Sequence, residues 1–367
     1  MHAVESNDDL LIEILLRLPV ISLVLFRSVS KRWLSIINNP HFVTLLRQII
    51  PKSEPVSGLY IQNPGAFFVY DFVPLDNRVD QSRYPFKLIS RYDRRFGVII
   101  LQSCHGLLLC VGLHHYYVYN PTTSLFKKIP FCPIDKGTIR MAYDPTKSPH
   151  YKLVYARHRD YNRGLVRNNI RIYTYSSETG IWSDCGDRYW SKSSSEILKH
   201  GIYWTNAIHW VEGSNHNKLC LEDLAITSVQ APGENGCNHK LFESRGCLHS
   251  VCVCPHFSPD RGELKQLNVY EMSNEHSEWL IKYIVHLDEA KRSFPKFRVH
   301  PHKLVSIDVW CIALGEREED SFMVIDLDGT IMQYKIMSNT LHKLPYSKPF
   351  RCYHPDSFQF IASSADV

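Results

Sequence analysis

Between residues 58 and 360, short runs rich in Val, Ile, Leu, Tyr and Phe recur, each bounded by Gly, Pro, Asn or Asp. β-Branched and aromatic residues favour strands and the bounding residues favour turns, so these runs predict short strands joined by tight turns. No long helical pattern interrupts them, which favours an all-β domain over alternating strands and helices. The strands predicted in this way include residues 106–111, 116–119, 170–175, 201–210, 267–272, 279–287 and 322–326.

Some of these runs repeat a common unit. Residues 116–130 have the form strand, turn, strand, and the same form returns in residues 170–182, 267–279 and 322–336. Each unit combines an aromatic, β-branched strand with a polar turn and an aromatic or Leu anchor. Such units are typical of the blades of a β-propeller, which are about 40–50 residues long. On that period the span 58–360 accommodates about six blades.

The first 50 residues have a different pattern, which predicts short helices. Asn7 can cap a helix whose first turn contains two acids, and acids are favourable at that end of the helix dipole. Pro19 ends this helix, because proline cannot donate the next backbone hydrogen bond. Ser22 and Ser30 are predicted to cap a second and a third helix, and a last helical piece follows residue 40.

These helices carry more apolar surface than one packed face can use. A unit of about 45 residues cannot bury that much surface alone, so another protein or the rest of the chain must cover part of it. Charge is also divided: residues 1–16 contain four acids and no Lys or Arg, whereas residues 17–47 contain five basic residues and no acid. A basic, apolar helical unit is suited to an acidic partner with an apolar groove.

We therefore expect a chain of the α+β multidomain class, with a small N-terminal three-helix domain followed by an all-β, propeller-like domain. A segment with two prolines separates the two patterns and predicts a linker. The predicted boundaries are residues 1–50 for the helical domain, 51–57 for the linker, 58–360 for the β domain and 361–367 for a tail.

Residues 7–47 resemble the F-box. The resemblance lies in the spacing of Leu-Leu, Ile-Leu, Leu-Pro, Val and Trp along DLLIEILLRLP (residues 9–19) and FRSVSKRW (residues 26–33). It implies docking on a Skp-type adaptor of a cullin ubiquitin ligase through apolar anchors on helices. The residues that it predicts to dock, or to shape the docking surface, are Leu10, Leu11, Ile14, Leu15, Leu18, Pro19, Leu23, Phe26, Val29, Trp33 and Ile37.

Two further expectations follow from this resemblance. Leu15→Asp is expected to abolish adaptor binding and leave the β domain folded. The family usually has Leu-Pro where this chain has Ser6 and Asn7, and the loss of one buried Leu contact weakens binding by about 1–3 kcal/mol. An alternative is that the helices form a cap that packs on the β domain.

The rest of the chain resembles the plant F-box-associated domain over about residues 58–345. The motifs that match in order include SCHGLLLC (103–110), YNPTT (119–123), AYDPTKSPHY (142–151), YSSETGIW (175–182) and ESRGCLH (243–249). The resemblance implies a kelch or galactose-oxidase-like propeller that captures a target protein. It implies no catalysis and no cofactor, so the whole chain is similar to the substrate-recognition subunits of Skp–cullin–F-box ubiquitin ligases.

A rival enzyme interpretation depends on VIDLDGT at residues 324–330. The motif resembles the first motif of haloacid-dehalogenase-type phosphatases, in which two aspartates, here Asp326 and Asp328, act with magnesium. Those enzymes place it near the start of an α/β domain, and no such region surrounds it here. A β-hairpin that turns at Asp328 and Gly329 is the favoured interpretation.

A group of cysteines and histidines raises the question of a zinc site. Its members lie within 20 residues, but their spacings are C-x-H and C-x-C rather than those of common zinc folds. Small cysteines buried in a blade are the favoured interpretation, so we predict no metal. The group comprises Cys237, His239, Cys247, His249, Cys252, Cys254 and His256.

The basic stretch 152–173 interleaves tyrosines with arginines. It could bind an acidic peptide or RNA by charge and stacking, in which case the chain would be a binding scaffold outside any ligase. A solvated loop between two strands is the favoured interpretation, because basic runs are often only solvated. The candidate ligand-binding residues in this stretch are Arg157, Arg159, Arg163 and Arg167.

Composition excludes several classes of protein. No stretch approaches 18 consecutive apolar residues, and the first residues lack the basic segment of a signal peptide. Eleven cysteines are an odd number, which favours reduced thiols in a cytoplasmic or nuclear protein. The net charge of +5 is too small to imply nucleic acid. The expected partners are a Skp-type adaptor, a cullin bound through it, and a target protein, with no membrane.

Overall fold

The computed structural model describes most of the chain, with gaps. Within it, four helices precede 23 strands, which form six antiparallel sheets. The described residues are 7–49, 55–63, 68–76, 86, 97–113, 115–130, 137–158, 169–190, 197–233, 238–253, 266–273, 278–286, 307–327, 329–347, 356–365 and 367.

The helices are α1 (Asp8–Leu16), α2 (Val20–Phe26), α3 (Lys31–Ile37) and α4 (Pro40–Ile49). Two predicted caps are confirmed. The side chain of Asn7 accepts the backbone N–H of Asp9 at 3.0 Å, and that of Ser30 accepts the N–H of Trp33 at 3.2 Å.

The predicted cap at Ser22 is wrong, because α2 begins earlier, at Val20. Pro19 sits at the N-cap position with a φ of −56°, and its carbonyl accepts the N–H groups of Ser22 and Leu23. The fixed φ of proline is already close to the helical value, so a proline that ends one helix also starts the next.

The helical unit has a core of its own. Its helices pack through Phe26 and Trp33, whose rings meet edge to face at 5.0 Å. Arg32 of α3 donates to a carboxylate oxygen of Asp8 in α1 at 2.5 and 2.9 Å, which ties the two helices together. The buried core residues are Leu11, Leu15, Leu23, Ile36, Ile37, Phe42 and Leu46.

Six sheets form the blades of the β domain. Blade 1 contains β1 (Gly58–Gln62), β2 (Tyr70–Pro74) and β23 (Ser357–Phe360). Blade 2 contains β3 (Ile99–Cys104), β4 (Leu107–Val111), β5 (Tyr116–Asn120) and β6 (Leu125–Lys128). Blade 3 contains β7 (Thr138–Ala142), β8 (Lys152–His158), β9 (Asn169–Ser176) and β10 (Ile181–Tyr189).

The remaining blades have the same four-stranded order. Blade 4 contains β11 (Ile202–Trp204), β12 (Ala207–Glu212), β13 (Asn215–Cys220) and β14 (Ile226–Gln230). Blade 5 contains β15 (Asn238–Ser244), β16 (Cys247–Val253), β17 (Gln266–Met272) and β18 (Trp279–His286). Blade 6 contains β19 (Ile307–Ala313), β20 (Phe322–Leu327), β21 (Thr330–Lys335) and β22 (Thr340–Ser347).

The blades close into a ring. The first strands of blades 2 to 6 and β23 contact one another in the order β23, β3, β7, β11, β15, β19 and back to β23. β23 comes from the C-terminal end of the chain and pairs with β1, so that Gly58 lies opposite Phe360. The expected all-β, propeller-like domain with six blades is confirmed, and it follows an N-terminal helical region.

The apolar core is divided among the spaces between blades. One hydrophobic cluster occupies each of the six interfaces between neighbouring blades. The cluster between blades 3 and 4, for example, contains Ile172 from one blade and Trp210 from the other. A single blade therefore cannot bury its apolar faces, and the stability of each blade depends on its two neighbours.

One predicted strand is in fact a hairpin. Residues 201–210 form the two strands β11 and β12, which pair through Trp204 and Ala207. The residues between them, Thr205 and Asn206, have φ values of 45° and 58°. Two successive residues with positive φ make the tight turn whose twist matches a hairpin.

The C-terminal residues pack on blade 2. The side chain of Asn120 donates to the carbonyls of Ser363 and Ala365 at 3.0 and 2.8 Å, and the backbone N–H of Ser363 donates to Thr122. The expected tail therefore contributes to the β domain up to Ala365. Among the described helices, none combines the length and the apolar character that crossing a membrane requires.

Two stacked histidines are buried in blade 4. Nδ1 of His209 and Nε2 of His216 lie 3.0 Å apart, and the two rings stack on each other. Trp204 meets the ring of His209 edge to face, and Trp279 meets the ring of His216 in the same way. Burial lowers the pKa of His209 to about 3 and that of His216 to about 4, and the proximity of His216 lowers the pKa of His209 further. Both rings are therefore neutral in the folded protein at neutral pH.

We expect this pair to make the protein sensitive to acid. Both histidines regain a pKa near 6.5 when the chain unfolds, so the unfolded state binds protons first. The free energy of unfolding should be constant above about pH 6.5 and fall as the pH decreases towards 4. Urea unfolding followed by tryptophan fluorescence measures this at pH 7.5, 6.5, 5.5 and 4.5.

A matched pair of variants tests the cause. The double variant His209→Phe/His216→Phe keeps two aromatic rings without protonation sites and should have a flatter pH dependence. His342→Gln, at an exposed position in β22, should behave like the wild type. An unchanged pH dependence in the double variant would contradict the assignment.

Candidate functional site

The structure separates the eleven predicted docking residues into core and surface. Four of them are buried in the helical unit: Leu11, Leu15, Leu23 and Ile37. Leu18, Phe26 and Trp33 are half-buried and pack against that core. Leu10, Ile14, Pro19 and Val29 are exposed. The buried residues can only shape a docking surface, whereas the exposed ones are free to contact a partner.

The exposed apolar side chains of the helical unit form its candidate docking surface, which we call the F surface. Leu25 in α2 and Leu34 in α3 belong to it, and the docking prediction did not include them. Helical spacing could not separate them from core residues, because the short helices are apolar on several sides. The F surface comprises Leu10, Ile14, Leu25, Val29 and Leu34, each between 40% and 58% exposed.

The charges of α1 are partly neutralised within the unit. Asp8 pairs with Arg32, and Glu13 pairs with Arg17 at 2.5 Å one helical turn away. Residues 7–47 contain five basic residues and three acids, so the unit keeps a positive balance. This charge is suited to an acidic partner and affects the rate of association more than the affinity.

Asn7 has a structural role that a proline could not perform. Its side chain caps α1 by accepting the N–H groups of Asp9 and Leu10. A cap of this kind stabilises a helix by about 1 kcal/mol. The family usually has Leu-Pro at positions 6 and 7, and the asparagine found here at position 7 provides a helix cap that a proline would lack.

The basic stretch of blade 3 is less basic in three dimensions than in the sequence. Arg171 of β9 pairs with Asp184 and Asp187 of the neighbouring strand β10, at 2.5 and 3.6 Å. The hydrogen bond from Arg171 lowers the pKa of Asp184. Arg157 lies in β8 opposite Arg171, and three of the predicted ligand residues, Arg159, Arg163 and Arg167, lie outside the described residues.

The described members of the cysteine and histidine group are distributed over the sheet of blade 5. His239 lies opposite Cys252 in the ladder, and His249 pairs with Glu271 at 3.0 Å. Within the residues that the structure describes, no three His, Cys, Asp or Glu side chains converge on a metal-sized site. Cys237, Cys254 and His256 lie outside those residues.

The aspartate motif lies in a hairpin of blade 6. β20 and β21 pair up to Leu327 and Thr330, which confirms the hairpin interpretation. The buried carboxylate of Asp326 accepts the backbone N–H of Gly329 at 2.8 Å, so it stabilises the turn. Asp328 lies outside the described residues.

Comparison with known proteins agrees with the resemblance of the helical unit. Residues 7–45 match the F-box domain family. The F-box protein At5g07610 of Arabidopsis thaliana is 29% identical, and the alignment covers 99% of this chain and 93% of that protein. The F-box/kelch-repeat protein At3g23880 of the same plant is 23% identical over 72% of this chain and 77% of its own length.

A solved structure, that of TolB from Acinetobacter baumannii, is 10% identical with a TM-score of 0.42, over 86% of this chain and 70% of that one. The sequence comparisons establish two points. The chain has an N-terminal F-box domain, and it is similar to one plant F-box protein over nearly its whole length. The six-bladed propeller follows this domain.

Proposed function

We propose that this protein is the substrate-recognition subunit of a Skp–cullin–F-box ubiquitin ligase. The observation that carries the proposal is an F-box domain, matched over residues 7–45, whose own core is buried while five large apolar side chains among the described residues are exposed. Exposed apolar side chains at this density are typical of an interaction surface. The partner that an F-box implies is a Skp-type adaptor, and through it a cullin.

The two domains have separate tasks in this proposal. The F surface packs into an apolar groove of the adaptor, while the positive charge of the unit complements acidic residues around that groove. The propeller, which we propose to be an F-box-associated domain, captures a target protein. Loops on such a rigid ring are where binding specificity resides.

Catalysis then takes place elsewhere in the complex. The conjugating enzyme transfers ubiquitin, and this protein contributes by keeping the target close to it at a high effective concentration. No cofactor is required of this chain for that role. We propose a cytoplasmic or nuclear location, where the ligase would operate on reduced proteins.

Co-purification tests the proposal directly. The full-length wild-type protein is mixed with each member of a panel of purified Skp-type adaptors, with and without a cullin, and analysed by size-exclusion chromatography. We expect a complex with at least one adaptor, and the cullin should join only when the adaptor is present. If the protein has a normal circular dichroism spectrum and binds no adaptor of the panel, the proposal is overturned.

A further inference from the structure

A buried arginine near the centre of the propeller has no charged partner among the residues that the structure describes. Arg140 lies on β7, the first strand of blade 3, and only 6% of it is exposed. Its guanidinium makes one hydrogen bond, from Nη1 to the carbonyl of Ile139 at 2.8 Å. Its Nε is buried without an acceptor, and the side chain forms no ion pair with the residues that the structure describes.

The cost of burying a charged Arg140 is reflected in the pKa of its guanidinium. Burial lowers the pKa of the Arg140 guanidinium to about 10, and Asp356 offsets the effect only in part. Transfer of a cation out of water is unfavourable unless an opposite charge and hydrogen bonds compensate it. Within the described part of the molecule, the compensation for Arg140 is incomplete.

The backbone before β11, next to Arg140, is tightly packed and strained. Gly201 precedes β11, and a Cβ there would lie 3.5 Å from Cγ of Arg140 and only 2.9 Å from Ile208 and from the carbonyl of Leu198. Leu198 and His200 both have positive φ, at 56° and 52°. Such strain in residues other than glycine concentrates at ligand-binding sites.

Other charged groups converge on the same end of the ring. The imidazole of His200 interacts electrostatically with Arg140, Lys199, Lys240 and Asp356. These residues lie in, or just before, β7, β11, β15 and β23, which belong to four different blades around the ring. Lys199, His200 and Asp356 are exposed, so the surroundings of the buried guanidinium open to solvent on this side.

The balance of charge at this end favours an anion. Among the described residues that interact electrostatically with His200 or form an ion pair with Lys240, there are three permanent cations, Arg140, Lys199 and Lys240, and two carboxylates, Asp308 and Asp356. One of the cations is already neutralised, because Nζ of Lys240 lies 2.6 Å from Asp308. Arg140 remains as the buried cation whose charge the described residues leave uncompensated.

We infer that the start of the first strands of blades 3 and 4 is a binding site for one anionic group, a phosphate or a carboxylate, with Arg140 as its main donor. A guanidinium has two parallel N–H groups that can form bidentate hydrogen bonds with either a phosphate or a carboxylate. The site is independent of adaptor docking, since it lies in the propeller and involves no residue of the F-box domain.

A purely structural role for Arg140 makes the opposite prediction about stability. If Arg140 only stabilises the fold through its hydrogen bond to the carbonyl of Ile139, Arg140→Met should lower the midpoint of thermal unfolding. If it is a ligand-binding cation, Arg140→Met should maintain or raise that midpoint in anion-free buffer, because an apolar side chain of similar length replaces an uncompensated charge. Arg140→Met therefore separates the two roles before any ligand is added.

The test uses the full-length chain and inorganic phosphate at constant ionic strength. Phosphate should raise the midpoint of thermal unfolding of the wild type, because a ligand that binds only the folded state stabilises it. The control Arg171→Gln removes a positive charge from the outer strands of the same blade and should respond like the wild type. Arg140→Met should lose the response, with a Kd for phosphate raised about tenfold or more.

A phosphate response that Arg140→Met retains in full would overturn the inference, and so would no response of the wild type to phosphate, sulfate or glutarate. If Arg140→Met fails to fold, Arg140→Lys replaces it. A lysine keeps the charge but lacks the planar pair of donors, so it should bind phosphate more weakly than the wild type and more tightly than a neutral residue. Equal affinity of Arg140→Lys and wild type would also contradict the role of the guanidinium.

The source of the anion is distinguished by comparing three probes on the wild type by calorimetry. These are inorganic phosphate, a glycine-flanked phosphoserine tripeptide and a glycine-flanked glutamate tripeptide. Tighter binding of a tripeptide supports the site and assigns the anion to a protein side chain. Tighter binding of inorganic phosphate supports the site and assigns it to a free anion. Loss of adaptor binding leaves each of these results unchanged.

Discussion

Replacement of Ile14 by Asp is expected to abolish adaptor binding while both domains stay folded. Ile14 is 46% exposed on α1, one helical turn from Leu10, so an Asp there meets water in the free protein. In the complex the same position would bury a charge where an apolar side chain had contributed about 1.5–3 kcal/mol. We expect the affinity for the adaptor to fall at least about 100-fold, which corresponds to about 2.7 kcal/mol.

Two control variants decide what this loss means. Ile181→Asp places the same change at an exposed apolar position in β10 of the propeller and should bind the adaptor like the wild type. Leu15→Asp, one residue beyond Ile14, alters a side chain that is fully buried in the helical core. It should unfold the helical unit, as measured by the loss of helical circular dichroism, so it tests folding rather than docking.

The F surface is the wrong assignment if Ile14→Asp binds the adaptor with an affinity within threefold of the wild type. Surface plasmon resonance with immobilised adaptor measures the affinity of all four proteins. The circular dichroism spectrum of each variant shows whether the helices are intact. A loss of binding shared by Ile14→Asp and Ile181→Asp would indicate a general effect of added charge instead.

Removal of β23 is expected to prevent the propeller from closing. A chain that ends at Asp356 lacks the strand that pairs with β1 from Gly58 to Ile61. It also lacks Phe360, which is fully buried and meets Phe72 and Tyr60 edge to face at 5.4 and 6.2 Å. The loss of one buried aromatic side chain costs about 3–5 kcal/mol, a large part of the 5–15 kcal/mol that stabilises a typical domain.

The measurement is the cooperative unfolding transition followed by tryptophan fluorescence, which the shortened chain should lack. A synthetic peptide of residues 357–367, added in excess, should restore the transition, because it supplies β23 and the segment that packs on blade 2. The same peptide with Phe360→Asp is the matched control and should not restore it. A normal transition in the shortened chain without peptide would show that blade 1 does not depend on β23.

Local patterns of residues determined much of this protein without reference to its fold. The spacing of apolar residues in 7–47 predicted short helices, because helix contacts depend on neighbours three and four positions apart, and the same residues resemble the F-box. The repeated strands and turns indicated a propeller of about six blades for a similar reason, since each blade is built from hairpins between adjacent strands. The caps at Asn7 and Ser30 followed from single side chains and the backbone next to them.

Contacts between distant residues could not be inferred in this way. Leu15 and Ile14 are equivalent in a helical pattern, and only the packing of four helices buries one and exposes the other. The salt bridges of Arg171 depend on how β10 lies against β9, and the pairing of β23 with β1 joins opposite ends of the propeller. Arg140 looked unremarkable in the sequence, because its burial and its missing counter-charge come from blades far away in the chain. Sequence patterns report neighbours along the chain, whereas burial and charge compensation depend on which residues the closed ring brings together.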